Sequence, residues 1–248
     1  MPGMSRPAAA KREEHLLLAY PGRDIAVTTI TVVVTAAIFG AVASQGVLAH
    51  IQHLDNAWLR LMVSNRSAPV TAFAKFLNFL GLVYITLPVR IAIAGFLALR
   101  RRWWHLAAFV TAIVASEALI GTLKGIYGRA RPLHSLVATS GASFPSGHSI
   151  AATVTVVAAV IALVPPGRRR AWWGAGAVAF SVLMALSRAY LLAHWLSDAI
   201  AGVLLGTSCA LLAALVVGLL QRRWRDHHPG PAAHGPAAPD VTQPADKR

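Results

Sequence analysis

The stretch IAVTTITVVVTAAIFGAVASQGVL, Ile25 to Leu48, carries no charged side chain. Wound as a helix at 1.5 Å per residue it covers about 36 Å, enough to cross the ~30 Å hydrocarbon core of a bilayer. Five more apolar runs follow, at about Leu80 to Leu99, Trp104 to Leu123, Ser149 to Val164, Trp172 to Leu186 and Trp195 to Leu220. The chain is 56% hydrophobic and 13% charged, with a mean hydropathy of +0.58, which excludes an ordinary soluble domain. Between the first two runs, His50 to Phe76 sets Ile51, Leu54, Trp58, Leu61 and Met62 at helical spacing beside Asp55, Arg60 and Arg66. That pattern suits an amphipathic helix lying on the membrane surface. The expected fold is all-α: a polytopic membrane bundle of six transmembrane helices, with an interfacial amphipathic helix after the first span.

The formal charge of +14 sits in short clusters at the ends of apolar runs: Arg100 to Arg102, Arg168 to Arg170, and Arg222-Arg223-Trp224-Arg225. Six crossings place all three clusters and the N-terminus on the cytoplasmic side, where such clusters belong. The expected partner is therefore the lipid bilayer and not nucleic acid. Three segments result: a polar cytoplasmic segment 1–24, a six-helix membrane domain 25–220, and a tail 221–248 that is basic and then disordered, rich in Pro, Gly and Ala. Ala41-Val42-Ala43 has the small residues of a cleavage site, but the apolar run continues past it, so the first span is expected to be retained. The lone Cys209 excludes an intrachain disulfide and a cysteine-rich metal site. Apolar faces toward lipid and toward a second subunit look alike, which leaves the oligomeric state unread. Trp58, Trp103, Trp104, Trp172, Trp173, Trp195 and Trp224 cluster near span ends, as an aromatic belt does.

Several cations stand against that charge bias. On this topology Lys124, Arg129 and Arg131 follow the third span and Arg188 follows the fifth, all on the extracytoplasmic side. In KGIYGRARP, Lys124 to Pro132, one cation ends a span and another precedes a proline that favours extended backbone. In FPSGHS, Phe144 to Ser149, Pro145 is expected at the first helical position of the fourth span. The free amides of that turn, with Ser146 and Gly147 allowing close approach, make an anion cradle with His148 at its lip. In SRAYLLAHWLSD, Ser187 to Asp198, His194 and Asp198 are four residues apart. On a helix they share a face, so the carboxylate is expected to hold one imidazole nitrogen and leave the other free to attack.

These three segments resemble the signature of the phosphatidic acid phosphatase type 2 superfamily, KxxxxxxRP, PSGH and SRxxxxxHxxxD, at every fixed position. The resemblance implies a lipid-phosphate or lipid-diphosphate phosphatase in which His194 forms a phosphohistidine, Asp198 orients it and His148 protonates the leaving oxygen. Lys124, Arg131, Arg188, Ser146 and the Gly147 amide would hold the phosphoryl oxygens. No cofactor and no metal are expected, since fixed cations can take a metal's part in stabilising the phosphoryl oxygens. The expected place is a bacterial plasma membrane, with both termini cytoplasmic and the site facing the extracytoplasmic side.

Outside the signature, Arg129 is read either as a contact to the second phosphate of a diphosphate or as a headgroup contact. Arg90 and Glu117, within the second and third spans, are read as a structural pair, the favoured reading because intramembrane ions find partners, or else with Glu117 lining a polar route below the site. Phosphatidate, phosphatidylglycerol phosphate and polyprenyl diphosphates all fit the site's chemistry. A transporter or binding protein for a phosphorylated lipid, or a lipid phosphotransferase, is the alternative reading.

Overall fold

The structure is a computed structural model that describes residues 16–18 and 20–228. Those residues form eight helices and no strand: α1 Pro21–Ala43, α2 Gln45–Ser64, α3 Ala68–Leu80, α4 Val83–Leu99, α5 Trp103–Tyr127, α6 Gly147–Leu163, α7 Arg168–Tyr190 and α8 Leu196–His227. The all-helical expectation holds. Its boundaries change in four places.

The first apolar run does not stay helical to Leu48. Ser44 is extended and its N–H closes the preceding turn onto Gly40 and Ala41, so α2 starts at Gln45. The expected amphipathic segment His50 to Phe76 is broken by Asn65-Arg66-Ser67, with Pro69 in the first turn of α3. Pro69 has no N–H to continue a helix from α2 and suits a new start instead. The helices α3 and α4 meet at Gly81-Leu82 with a bend of 50°. At the other end α8 runs on through the arginines to His227, past the expected boundary at Leu220. The expected disordered tail lies outside the described residues from 229 onward.

Among the described residues three helices, α1, α5 and α8, are long and apolar enough to cross a membrane, and a fourth if the bent α3–α4 pair counts as one. At 17 residues α6 is too short, and α7 is diluted by Arg168 to Arg170, two tryptophans and two glycines. The outer surface is apolar, with Ile30, Val33, Ile91, Val114, Val178 and Val216 turned outward.

The interior is organised around α8, which packs against α1, α5, α6 and α7. Small residues make the approach to α6 close. A Cβ at Gly202 would stand 2.7 Å from the Ser146 carbonyl oxygen, and one at Gly206 would stand 2.8 Å from that of Ile150. Crowding backbone in this way typically costs about 1–3 kcal/mol. Gly202 lies against the turn that opens α6, so Gly202→Ala should displace Ser146 to His148. The expected result is a Tm lower by several degrees and a parallel loss of any activity that turn supports; an unchanged Tm would show that α6 can yield at no cost.

Two other contacts fix the bundle. Arg90 on α4 pairs with Glu117 on α5 at 2.7 Å, as expected, and also donates to Thr155 at 2.9 Å. Leu17 and Leu18 are buried where the chain enters, with Arg170 donating to the Leu17 carbonyl and Arg222 to that of Leu18. The start of α1 and the end of α8 therefore lie together.

Candidate active site

The three signature segments meet at the opposite end of the bundle. Lys124 is in the last turn of α5, His148 in the first turn of α6, Arg188 in the last turn of α7, and Arg131 and His194 are in the loops before α6 and α8. Together with Gly147, Ala138, Thr139 and Ser140 they line a cavity of about 360 Å³. Its wall thus holds three cations and two imidazoles, brought from three helix ends and two loops.

Turn chemistry explains how the α6 end is held. Ser146, not Pro145, caps the helix, its hydroxyl accepting from the Ser149 N–H at 3.4 Å and from the Ser149 hydroxyl at 3.0 Å. Pro145 stands outside the helix, behind a cis peptide bond with Phe144. A serine with extended backbone is a preferred cap, which is why it displaces the proline from the expected role. Ser146 is fully buried and does not line the cavity. Its hydroxyl is engaged in the cap, while the first-turn amides of Gly147 and His148 lack helical partners. Phe144 packs between Phe39 and Tyr127, with ring centroids 4.9 and 4.6 Å away.

His194 is held differently from the expectation. It precedes α8, and its Nδ1 lies 3.8 Å from the Asp198 carboxylate, too far for a hydrogen bond. Nδ1 instead donates to the Ser143 carbonyl at 2.7 Å. Asp198 acts one step away: Oδ2 accepts from the Ser143 hydroxyl and from the Trp195 N–H at 2.9 Å, and Oδ1 accepts from Arg129 at 2.6 Å. The outcome is the expected tautomer, with Nε2 unprotonated and facing the cavity. There it accepts from Arg131 at 3.1 Å.

The cations differ in readiness. Lys124 donates to the Ala142 carbonyl at 2.7 Å. Arg131 is fully engaged by His194 Nε2 and the carbonyls of Ser140, Gly141, Ala142 and Ala193. Arg188 is 2% exposed and donates to the Asn78 amide oxygen, leaving its Nε without a protein partner; His148 Nε2 is likewise unpartnered. Arg129, by contrast, is absent from the cavity wall. Its guanidinium is held by Asp198, Ser197, Gln52 and Asp55, each at 2.6 to 2.7 Å, so neither a second phosphate nor a headgroup is its partner.

Asn78, Gly81 and Ser143 belong to no motif in the sequence, and Asp55 enters it only as a polar position of the amphipathic segment. A Cβ at Gly81 would stand 2.8 Å from the His148 ring, so that glycine lets the bend between α3 and α4 press against the imidazole. The only local signal was an Asn and a Gly interrupting an apolar run.

Burial pushes the His194 imidazole down to about 4, against the pull of Asp198. It is therefore neutral at any pH above about 4 and takes up a proton as pH falls through that value. His148 faces Lys124, Arg131 and Arg188, so a proton there is a fourth positive charge until an anion enters. The proton should arrive with the phosphate, whose second pKa is about 6. We expect kcat/KM for a phosphomonoester to rise through pH ~4, level off, and fall above pH ~6. A profile flat to pH 9 would rule out a proton carried in with substrate.

Residues 105–222 match the PAP2 superfamily. The match takes in 118 of the 248 residues. The PAP2 segment contains all of the signature residues and both imidazoles. Among named relatives, the chain is 37% identical over 124 residues to a lipid A 1-phosphatase of Rhizobium etli, covering 46% of this chain and 50% of the relative. It is 28% identical over 165 residues to an undecaprenyl-diphosphatase of Sulfolobus acidocaldarius, covering 63% and 75%. The chain thus spans about half the length of the lipid A 1-phosphatase it matches. In structure it is similar to the PAP2-type phosphatidylglycerolphosphate phosphatase of Bacillus subtilis, with TM-score 0.65 at 24% identity over 79% of this chain and 96% of that one. It is also similar to LpxE of Aquifex aeolicus, with TM-score 0.54 at 22% identity over 64% and 94%. These likenesses place the fold.

Proposed function

We propose that the protein is an integral membrane phosphatase of lipid phosphates or diphosphates, working through a phosphohistidine on His194 at the extracytoplasmic face. The observation that carries the proposal is the meeting of a neutral, aimed His194 Nε2 with His148 across a cavity walled by Lys124, Arg131 and Arg188. Attack by Nε2 forms the N–P bond as the P–O bond to the lipid breaks. His148 gives its proton to the departing oxygen, then takes one from the water that cleaves the N–P bond and releases phosphate. The cations and the amides at the start of α6 match the charge on the transferring oxygens, which is most of what phosphoryl transfer asks of a protein. Metal-independent turnover follows from that assignment.

The assignment of sides takes the crossings as six, α1, the bent α3–α4 pair, α5, α6, α7 and α8, with α6 and α7 crossing although they fall short by length or composition. They agree with the proximity of the start of α1 to the end of α8 and with the arginine clusters there, while α2 lies along the opposite interface. Substrates named by the relatives, lipid A 1-phosphate, phosphatidylglycerol phosphate and undecaprenyl diphosphate, form the test panel with phosphatidate. Detergent-purified protein should release phosphate from at least one of them with chelator present. Release abolished by chelator and restored by metal would refute the metal-independent mechanism; tight binding without release would favour a lipid-binding or transport role.

A further inference from the structure

Behind the nucleophile, on the side away from the cavity, two buried carboxylates share one guanidinium. Asp55, on α2, is 2% exposed and Asp198 is fully buried. Arg129 bridges them, with one nitrogen at 2.7 Å from Asp55 and the other at 2.6 Å from Asp198. Asp55 also accepts from the N–H and hydroxyl of Ser197, at 2.9 and 2.6 Å, and so caps the first turn of α8 from another helix. It is the one buried residue of a helix whose Leu54, Leu61 and Val63 face outward. A buried acid on an otherwise outward-facing helix asks for a role beyond packing.

We infer that Asp55 and Arg129 are positioning residues for the nucleophile: Arg129, held from behind by Asp55, fixes Asp198, which through Ser143 aims His194 into the cavity. The chain of contacts runs without a gap from the Arg129 guanidinium to the Asp198 carboxylate, to the Ser143 hydroxyl, and from the Ser143 carbonyl to His194 Nδ1. Each of the two carboxylates alone would balance Arg129; together they leave one negative charge behind His194. That charge opposes the cavity's cations and stabilises the positive imidazole that appears as the N–P bond forms. The role of α2 changes accordingly, from a surface helix to a part of the catalytic support. This inference rests on His194 being the nucleophile proposed above.

The test uses the full chain in detergent and two readouts. The first is labelling of His194 by diethyl pyrocarbonate, followed by mass spectrometry across pH, which needs no turnover. The second is phosphate release. The charged and titratable groups around His194 are Asp198, Arg131, Arg188, Lys124 and His148, with Arg129 and Asp55 behind. Arg129→Gln leaves two carboxylates without their cation, so the His194 labelling midpoint should rise by about one unit or more. Its kcat should fall about 100-fold with KM changed less than about threefold. Arg129→Lys should restore the midpoint but not kcat, because an ammonium supplies the charge without the two-sided fork. Asp55→Asn, which keeps the Arg129–Asp198 pair, should slow His194 labelling at pH 7 and lower kcat about tenfold; it decides the matter if Arg129→Gln does not fold. Folded variants with unchanged labelling, or with a changed Tm alone, would overturn the positioning role. If wild type labels as expected but releases no phosphate, the proposed function fails and the positioning of His194 stands.

Discussion

Replacing His194 by alanine should abolish phosphate release, lowering kcat by about four orders of magnitude, while lipid binding changes less than about tenfold. The reason lies in how little else in the cavity can attack phosphorus. Lys124 and the arginines are cations, and Ser146 is capped away in the α6 turn. The loop hydroxyls of Thr139 and Ser140 line the cavity with no base placed to activate them among the bonds observed. The lost imidazole also frees Arg131, whose donor no longer meets Nε2, so binding of the anion should hold or tighten. Acid-quenched wild type given a labelled substrate should retain acid-labile phosphate on His194, and His194→Ala none. A variant that keeps more than a hundredth of wild-type kcat, or labels elsewhere, would show that water attacks directly and that His194 has another task.

What the sequence made legible were the fixed positions of three local motifs. Lys124, Arg131, His148, Arg188 and His194 all reach one cavity, because each sits at the end of an apolar run that leads to the same face. The apolar runs also located the helices, except where short-range chemistry intervened: Ser44 breaks the apolar run Ile25 to Leu48, and the turn before Pro69 breaks the amphipathic pattern of His50 to Phe76. Long-range partners were hidden. Arg129 and Asp55 are 74 positions apart, and nothing local says that the arginine turns away from the cavity while Arg131, two residues on, turns toward it. The four-residue spacing of His194 and Asp198 suggested a direct bond, but α8 starts between them, and a backbone carbonyl fifty-one positions upstream takes that place. A carbonyl is invisible to residue-type reasoning. The pairing of Arg90 with Glu117 was legible because two opposite charges at similar depth in a bilayer have few alternatives.

Arg188→Met should separate activity from stability. The guanidinium is almost wholly buried, its NH1 meets a neutral amide rather than a carboxylate, and its Nε meets nothing. A cation held that way costs the folded state desolvation that no opposite charge returns, so an apolar side chain of similar volume should be neutral or stabilising. At roughly 2–4 °C per kcal/mol for a chain of this size, the variant's Tm should stay level or rise by several degrees. The same unpartnered Nε is what a phosphoryl oxygen would meet, and removing it should cost at least about 100-fold in kcat/KM. Orthovanadate distinguishes this from general damage. A ligand at 100 times its Kd adds about 2.7 kcal/mol to the folded state, so saturating vanadate should raise the wild-type Tm clearly and that of Arg188→Met little. Arg188→Lys should bind but turn over poorly, since a lysine cannot hold Asn78 and the phosphate together. A lower Tm in Arg188→Met with an undiminished vanadate shift would place this arginine among the residues that hold the bundle together rather than those that hold the anion.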